Sequence, residues 1–184
     1  MALLRNGQTA RVTARVQALD DAVDAWMDRI RRPVLDPVFY GASSAADHGL
    51  VWLAIGSVRA ACSADPGVAL RLGTSMGIES ALTNGPIKMC FRRVRPELDY
   101  EAHETLPYGM HRPITSSFPS GHAASAFTAA VLLRDSPLAP AYFALAGLVA
   151  TSRVYVKMHH ASDVLVGAAL GAIMGAIARR LLPL

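Results

Sequence analysis

Apolar positions along this chain change period and density from one end to the other. Val12, Val16, Leu19, Val23, Trp26 and Ile30 recur at spacings of 4, 3, 4, 3 and 4, while Arg11, Arg15, Asp20, Asp21, Asp24, Asp28 and Arg29 fill the other faces. That period predicts an amphipathic helix over 9–31, closed by Arg31-Arg32-Pro33. A helix so charged does not span a bilayer. It lies in the interface, pairs with a partner helix, or caps a bundle.

Further along, the apolar runs lengthen. Residues 37–62 form a weaker segment broken by Asp47 and His48. Residues 66–94 read as a helix that opens on Pro66, a good first-turn residue, and stops before Pro96. Arg71 and Glu79 interrupt this segment, which turns it towards other helices rather than lipid. A polar stretch at 96–119 follows, with four prolines and the acids Glu97, Asp99, Glu101 and Glu104. Three more helices are predicted at 120–134, 138–155 and 160–181, the first two parted by Pro137 and Pro140.

Charge spacing changes this from a helical protein to a membrane one. No Asp, Glu, Lys or Arg occurs between Arg112 and Arg134, between Asp135 and Arg153, or between Asp163 and Arg179. Crossing a hydrocarbon core takes about 20 residues, so three such gaps in series, rich in small residues, predict an integral membrane protein. The expected fold is all-α: a membrane bundle of about five to six helices with an N-terminal amphipathic helix. We read one domain over 1–184, with 1–33 as the amphipathic segment and 37–184 as the bundle.

Composition adds limits. Of 184 residues 52% are apolar, and the net charge of +4 suits contact with anionic lipid. Sixteen of the eighteen basic residues are Arg, but no basic patch interleaved with aromatics points to nucleic acid. Cys62 and Cys90 have neither disulfide nor metal spacing. The opening MALLR is too short for the apolar core of a signal peptide.

Helices running up and down place the end of 66–94, the start of 120–134, the end of 138–155 and the start of 160–181 on one side. Those ends carry three polar clusters. In KMCFRRVRP, Lys88 and Arg95 lie seven apart, two turns on one helical face, where they either await an anion or snorkel to the interface. Arg92 and Arg93 face elsewhere, towards solvent or lipid headgroups. In SSFPSGHAAS, Ser120 serves as N-cap, Gly121 lets a ligand approach the backbone, and His122 sits in the first turn. Such a helix start is an anion site, or simply a capped helix with an incidental histidine. In SRVYVKMHHASD, His159 and Asp163 stand i and i+4, so the carboxylate can fix the imidazole tautomer and leave the other nitrogen free to attack. Arg153 adds a third cation, and His160 is a bystander. His122, His159 and Asp163 also compose a conceivable zinc set. Three nearby cations oppose it, because they repel a dication and attract phosphate.

Taken in order, Lys88-x6-Arg95-Pro96, Pro119-Ser120-Gly121-His122 and Ser152-Arg153-x5-His159-x3-Asp163 resemble the type-2 phosphatidic acid phosphatase superfamily, without gap or substitution over 88–163. The resemblance implies hydrolysis of a lipid phosphomonoester or diphosphate through a phosphohistidine, with no metal or other cofactor. By it His159 is the nucleophile, Asp163 orients it, and His122 protonates the leaving oxygen. Lys88, Arg95, Ser120, Gly121 and Arg153 bind the phosphoryl group. The two histidines need opposite protonation states, which predicts a bell-shaped pH profile. Vanadate-dependent haloperoxidases share these motifs and are one alternative; a lipid-phosphate binder without turnover is another. Implied partners are a membrane lipid phosphate (phosphatidic acid or a polyprenyl-linked phosphate), the bilayer, and a second copy through the N-terminal helix. The Arg- and Ala-rich composition is similar to that of actinobacterial members, which points to polyprenyl-linked envelope substrates and a bacterial inner membrane. Arg5, Arg11, Arg15, Arg29, Arg31 and Arg32 on the site side, against Arg59, Arg134, Arg179 and Arg180 opposite, favour a cytoplasmic site.

Overall fold

The computed structural model describes residues 2–96 and 115–182. Among these residues all regular structure is helical: α1 (Ala2–Ile30), α2 (Asp36–Ala45), α3 (Leu50–Ser63), α4 (Pro66–Leu82), α5 (Gly121–Leu132), α6 (Ala139–Tyr155) and α7 (Ala161–Leu181), with a 3-10 turn at Asp47–Gly49 and a π turn at Thr83–Ile87. The last three helices fall within two residues of their predicted bounds. Most of the expected polar stretch, including Glu97, Asp99, Glu101 and Glu104, lies outside the described residues.

The bundle is built around α5. Ala123, Ala124, Ala126, Ala129 and Ala130 are wholly buried, which an alanine helix permits because its neighbours come close. On α7, Gly167, Gly171 and Gly175 recur every four residues and so share one face. A Cβ on Gly171 would stand 2.0 Å from the Ala124 carbonyl oxygen, and one on Gly167 2.4 Å from that of Ser120. Only hydrogen fits there, the small-residue contact by which helices associate where no water drives them together. Thr128 Oγ1 adds a hydrogen bond to the Gly171 carbonyl at 2.9 Å.

At twelve residues α5 is about 18 Å long, short of the ~30 Å hydrocarbon layer. The first part of its charge-free stretch is loop, as the predicted helix start at 120 has it, so the helix itself is shorter than the charge-free stretch. Among the described residues α7 is the one helix long and apolar enough to cross by itself, with 21 residues and a mean hydropathy of 1.8 over an 18-residue window. Around the bundle Leu53, Val58, Leu70, Ile78, Leu165 and Ile173 are exposed, an apolar outer surface suited to lipid.

Two elements depart from expectation. The predicted helix over 66–94 breaks early. Pro86 lacks the N–H that a helix needs, Gly85 leaves helical geometry (φ −93°, ψ −109°), and helix does not continue past Met89. Lys88 and Arg95 therefore share no helical face. Helix α1 spans a predicted amphipathic segment but is rotated. Val12, Leu19 and Trp26 of its apolar stripe are exposed, while Asp20, on the polar face, is 2% exposed. One of the three roles open to α1 is visible in the bundle: it packs as a cap against the chain after α6 and the start of α7.

Candidate active site

Helix ends deliver the polar clusters to one cavity of about 710 Å³, lined among others by Asp47, Lys88, Arg95, Gly121, His122, Arg153 and His159. Lys88 and Arg95 arrive on the chain that leaves the α4 break. Arg153 arrives on the last turn of α6. Lys157, at a left-handed φ of 55°, then reverses the chain. The N–H groups of Met158 and His159 both donate to the Arg153 carbonyl, at 3.0 and 3.1 Å, so the imidazole follows directly behind the guanidinium.

His159 is held in one tautomer. Its Nδ1 lies 2.6 Å from the Ser117 carbonyl oxygen. A carbonyl only accepts, so Nδ1 carries the proton and Nε2 carries the lone pair. That Nε2 lies 3.4 Å from Arg95 Nη1. Burial, helped by the charges of Arg153 and Arg95 and opposed by Asp163, pushes the imidazole pKa down to about 3. His159 is therefore a neutral, buried base with its free electron pair beside a cation.

Asp163, expected to orient His159, stands near its imidazole but outside hydrogen-bond distance. Its Oδ2 is 3.7 Å from His159 Nδ1, beyond a hydrogen bond. That oxygen accepts the His160 N–H at 3.0 Å, closing a capping box at the start of α7. Oδ1 accepts Arg93 Nη1 at 2.6 Å. Arg93, expected to face solvent or headgroups, instead points inward and also pairs with Asp20 at 2.5 Å; the two buried carboxylates draw it in.

The cations are partly engaged. Arg95 donates to the Met158 carbonyl at 2.6 Å and to those of Thr115 and Ser116 at 3.3 and 3.4 Å. Arg153 donates to Ser43 Oγ, while its buried Nε has no partner among the described residues. Burial first, then Arg95 and Arg153, lowers the Lys88 ammonium pKa to about 8. Three cations crowd one cavity and lower the Lys88 ammonium pKa by mutual repulsion, which a bound anion would relieve.

His122 Nε2 lies 2.7 Å from Asp47 Oδ1. That hydrogen bond holds the Asp47 carboxyl below its ordinary range, against the opposing effect of burial. Two expected phosphate contacts stand differently. Ser120 is fully buried, off the cavity wall, with its Oγ capping Ala123 N at 3.4 Å. Gly121 lines the cavity, but the space a Cβ would need is filled by Asn84 Oδ1, 2.6 Å away; the close approach is by a side chain, not a ligand. The Phe118–Pro119 bond before them is cis. His122, His159 and Asp163 do not gather as a metal set, for each engages a different partner, and the described residues hold no other cluster of three such ligands.

The sequence reading missed Asp47, Ser117 and the inward turn of Arg93. Asp47 was visible as an acid breaking an apolar segment. Ser117 acts through its carbonyl, which no side-chain pattern announces.

A model of the PAP2 superfamily matches residues 68–183. Decaprenylphosphoryl-5-phosphoribose phosphatase of Mycobacterium tuberculosis is 40% identical over 91 residues, 50% of this chain and 49% of the relative. Its counterpart in Mycolicibacterium smegmatis is 37% identical over 81 residues, 44% and 42% of the two chains. The matched segment spans about half the length of these curated relatives. Two crystal structures are similar over most of the chain. The transmembrane PAP2-type phosphatidylglycerolphosphate phosphatase of Bacillus subtilis superposes with a TM-score of 0.70 at 26% identity, covering 91% of this chain and 86% of that one. LpxE of Aquifex aeolicus gives 0.68 at 26%, covering 86% and 93%. The bundle is that of an integral membrane protein.

Proposed function

Because the chain belongs to the PAP2 superfamily, we propose that it hydrolyses a lipid phosphate through a phosphohistidine on His159. The supporting observation is that Lys88, Arg95, Arg153, His122 and His159 line one cavity. The lone pair of His159 Nε2 attacks phosphorus while the bond to the lipid oxygen breaks. The His122 imidazolium, steadied by Asp47, gives its proton to that oxygen. A water then attacks the phosphoryl group, returns a proton to His122, and frees inorganic phosphate from Nε2. Phosphoryl transfer depends mostly on positioning and charge stabilisation. Lys88, Arg95, Arg153 and the amide end of α5 supply the charge, so the scheme needs no metal.

The substrate we favour is a polyprenyl-linked phosphomonoester, because the mycobacterial relatives are named for one. The cavity continues past the cations to Leu53, Gly73, Met76 and Gly77, an apolar wall where a lipid chain would run. Arg29, Arg31 and Arg32 end α1 at the cavity end of the bundle, and Arg59, Arg134, Arg179 and Arg180 mark the other. That distribution supports a cytoplasmic cavity. The exposed stripe of α1 suits the bilayer interface or the same helix of a second copy.

Phosphate release with EDTA present, from phosphatidic acid, decaprenyl phosphate and decaprenylphosphoryl-5-phosphoribose, tests the activity and the substrate together. We expect the last to be turned over fastest and His159→Ala to be inactive; an intact protein silent on all three overturns the proposal. For sidedness, the exposed cysteines are already placed: Cys90 at the cavity end, Cys62 at the other. An impermeant thiol reagent on intact cells should reach Cys62 and spare Cys90.

A further inference from the structure

We propose that Asp20 and Arg93 are positioning residues for the phosphoryl transfer, so that the N-terminal helix, which precedes the family match, completes the catalytic apparatus. The inference rests on the phosphatase reading above. Arg93 bridges two buried carboxylates, donating through Nη1 to Asp163 at 2.6 Å and through Nη2 to Asp20 at 2.5 Å. Asp20 reaches the same helix start independently. Its Oδ1 accepts the Ser162 N–H at 2.8 Å and its Oδ2 the Ser162 hydroxyl at 2.8 Å. Ser162 lies in the first turn of α7, where backbone N–H groups have no partner within the helix. Asp20 is thus an N-cap supplied from another helix.

The rest of α1 grips the chain that carries His159. Lys157, at the left-handed turn two residues before it, is held between Asp24 at 3.1 Å and Asp28 at 3.0 Å. Arg31 Nη2 donates to the Tyr155 carbonyl at 2.5 Å. From Tyr155 to Ser162 the segment is pinned by α1 and the residue that follows it, Arg31, and the nucleophile lies between. Neither Asp20 nor Arg93 lines the phosphate cavity. They act through Asp163 and the start of α7, and through these on His159.

Charge arithmetic makes this testable. Removing Arg93 leaves Asp20 and Asp163 facing each other without a cation, and an unpaired buried charge is strongly unfavourable. Removing the Asp20 charge as well relieves part of that conflict. We therefore expect Arg93→Gln to lower kcat about 100-fold with KM changed less than about threefold, since the phosphate contacts are untouched. Asp20→Asn alone should lower kcat about threefold to tenfold, and Arg93→Lys should keep more activity than Arg93→Gln because one ion pair survives. The double variant Asp20→Asn/Arg93→Gln should recover about tenfold over Arg93→Gln, a coupling that two independent injuries would not give.

The experiment measures phosphate release by the full-length protein in mixed micelles, using whichever of the three lipid phosphates the wild type turns over fastest. Recovery in the double variant with an unchanged KM supports the proposal. A wild type active beside an Arg93→Gln variant of near-normal kcat, or a double variant slower than Arg93→Gln, overturns the positioning role alone. A wild type silent on all three overturns the phosphatase reading, and the positioning role with it.

Discussion

His159 donates its Nδ1 proton to the backbone carbonyl of Ser117 at 2.6 Å, while the Asp163 carboxylate stays 3.7 Å from the same nitrogen. The tautomer that exposes Nε2 is thus set by a backbone group. Where a carboxylate alone sets the tautomer, neutralising it misplaces the proton and costs about 10⁴-fold in rate. Here the proton stays in place. Asp163→Asn should cost less, about 10²-fold in kcat, through lost charge stabilisation and a disturbed Arg93. Steady-state kinetics checks this, and a loss as complete as that of His159→Ala would assign the tautomer to Asp163.

Asp47 lies 75 residues from its partner in sequence and 2.7 Å from it in space. Charged at neutral pH, it supports the imidazolium form of His122 that the leaving oxygen needs. Asp47→Asn should lower kcat about tenfold, within the range of a general acid's own contribution, and leave KM nearly unchanged. The split between the two constants is the check, because a role for Asp47 in substrate binding would raise KM instead.

Lys88 adds to the alkaline side of the pH profile, beside the proton that His122 must hold as general acid. Its ammonium pKa is lowered to about 8, so the cavity loses a cation as pH rises through that value, and kcat/KM should fall. The arginines do not titrate near pH 8, so a Lys88→Arg variant should lose the part of the fall centred there and keep the part that follows loss of the His122 proton. His159, with a pKa near 3, stays neutral well below the ordinary imidazole range. It therefore gives no acid limb near pH 6, and a limb there in the bell-shaped profile belongs to another group.

Packing of α5 on α7 sets where the cavity can be. Gly171→Ala would place a methyl 2.0 Å from the Ala124 carbonyl, forcing the helices apart at about 1–3 kcal/mol or more. Gly147→Ala is the paired control, for a Cβ there meets nothing within 4 Å. Thermal unfolding in detergent should show a lowered midpoint for the first and little change for the second.

Much of this was legible in the sequence, for physical reasons. The last three helices are bounded by Pro, Gly and charges, all local signals. The residues that meet in the cavity sit at helix ends, so up-and-down connectivity alone brings Lys88, Arg95, His122, Arg153 and His159 to one side. The break in α4 was also present, in Gly85-Pro86, but a continuous apolar run masks a short interruption. Partners were not legible. Arg93 was read as outward because nothing in its neighbourhood shows that Asp20, 73 residues earlier, turns a charged face inward. Helical period showed which residues of α1 share a face but not which face the bundle takes, and two buried carboxylates near Arg93 outweighed the apolar stripe.

The central claim is a covalent bond between phosphorus and His159 Nε2. Rapid acid-free quenching of the enzyme with 32P-labelled lipid phosphate, followed by peptide mapping, measures it directly. The account predicts an acid-labile, base-stable label on the peptide carrying His159, formed and discharged at the rate of turnover and absent from His159→Ala. Turnover with no label on that peptide, or an unchanged rate in His159→Ala, would contradict it.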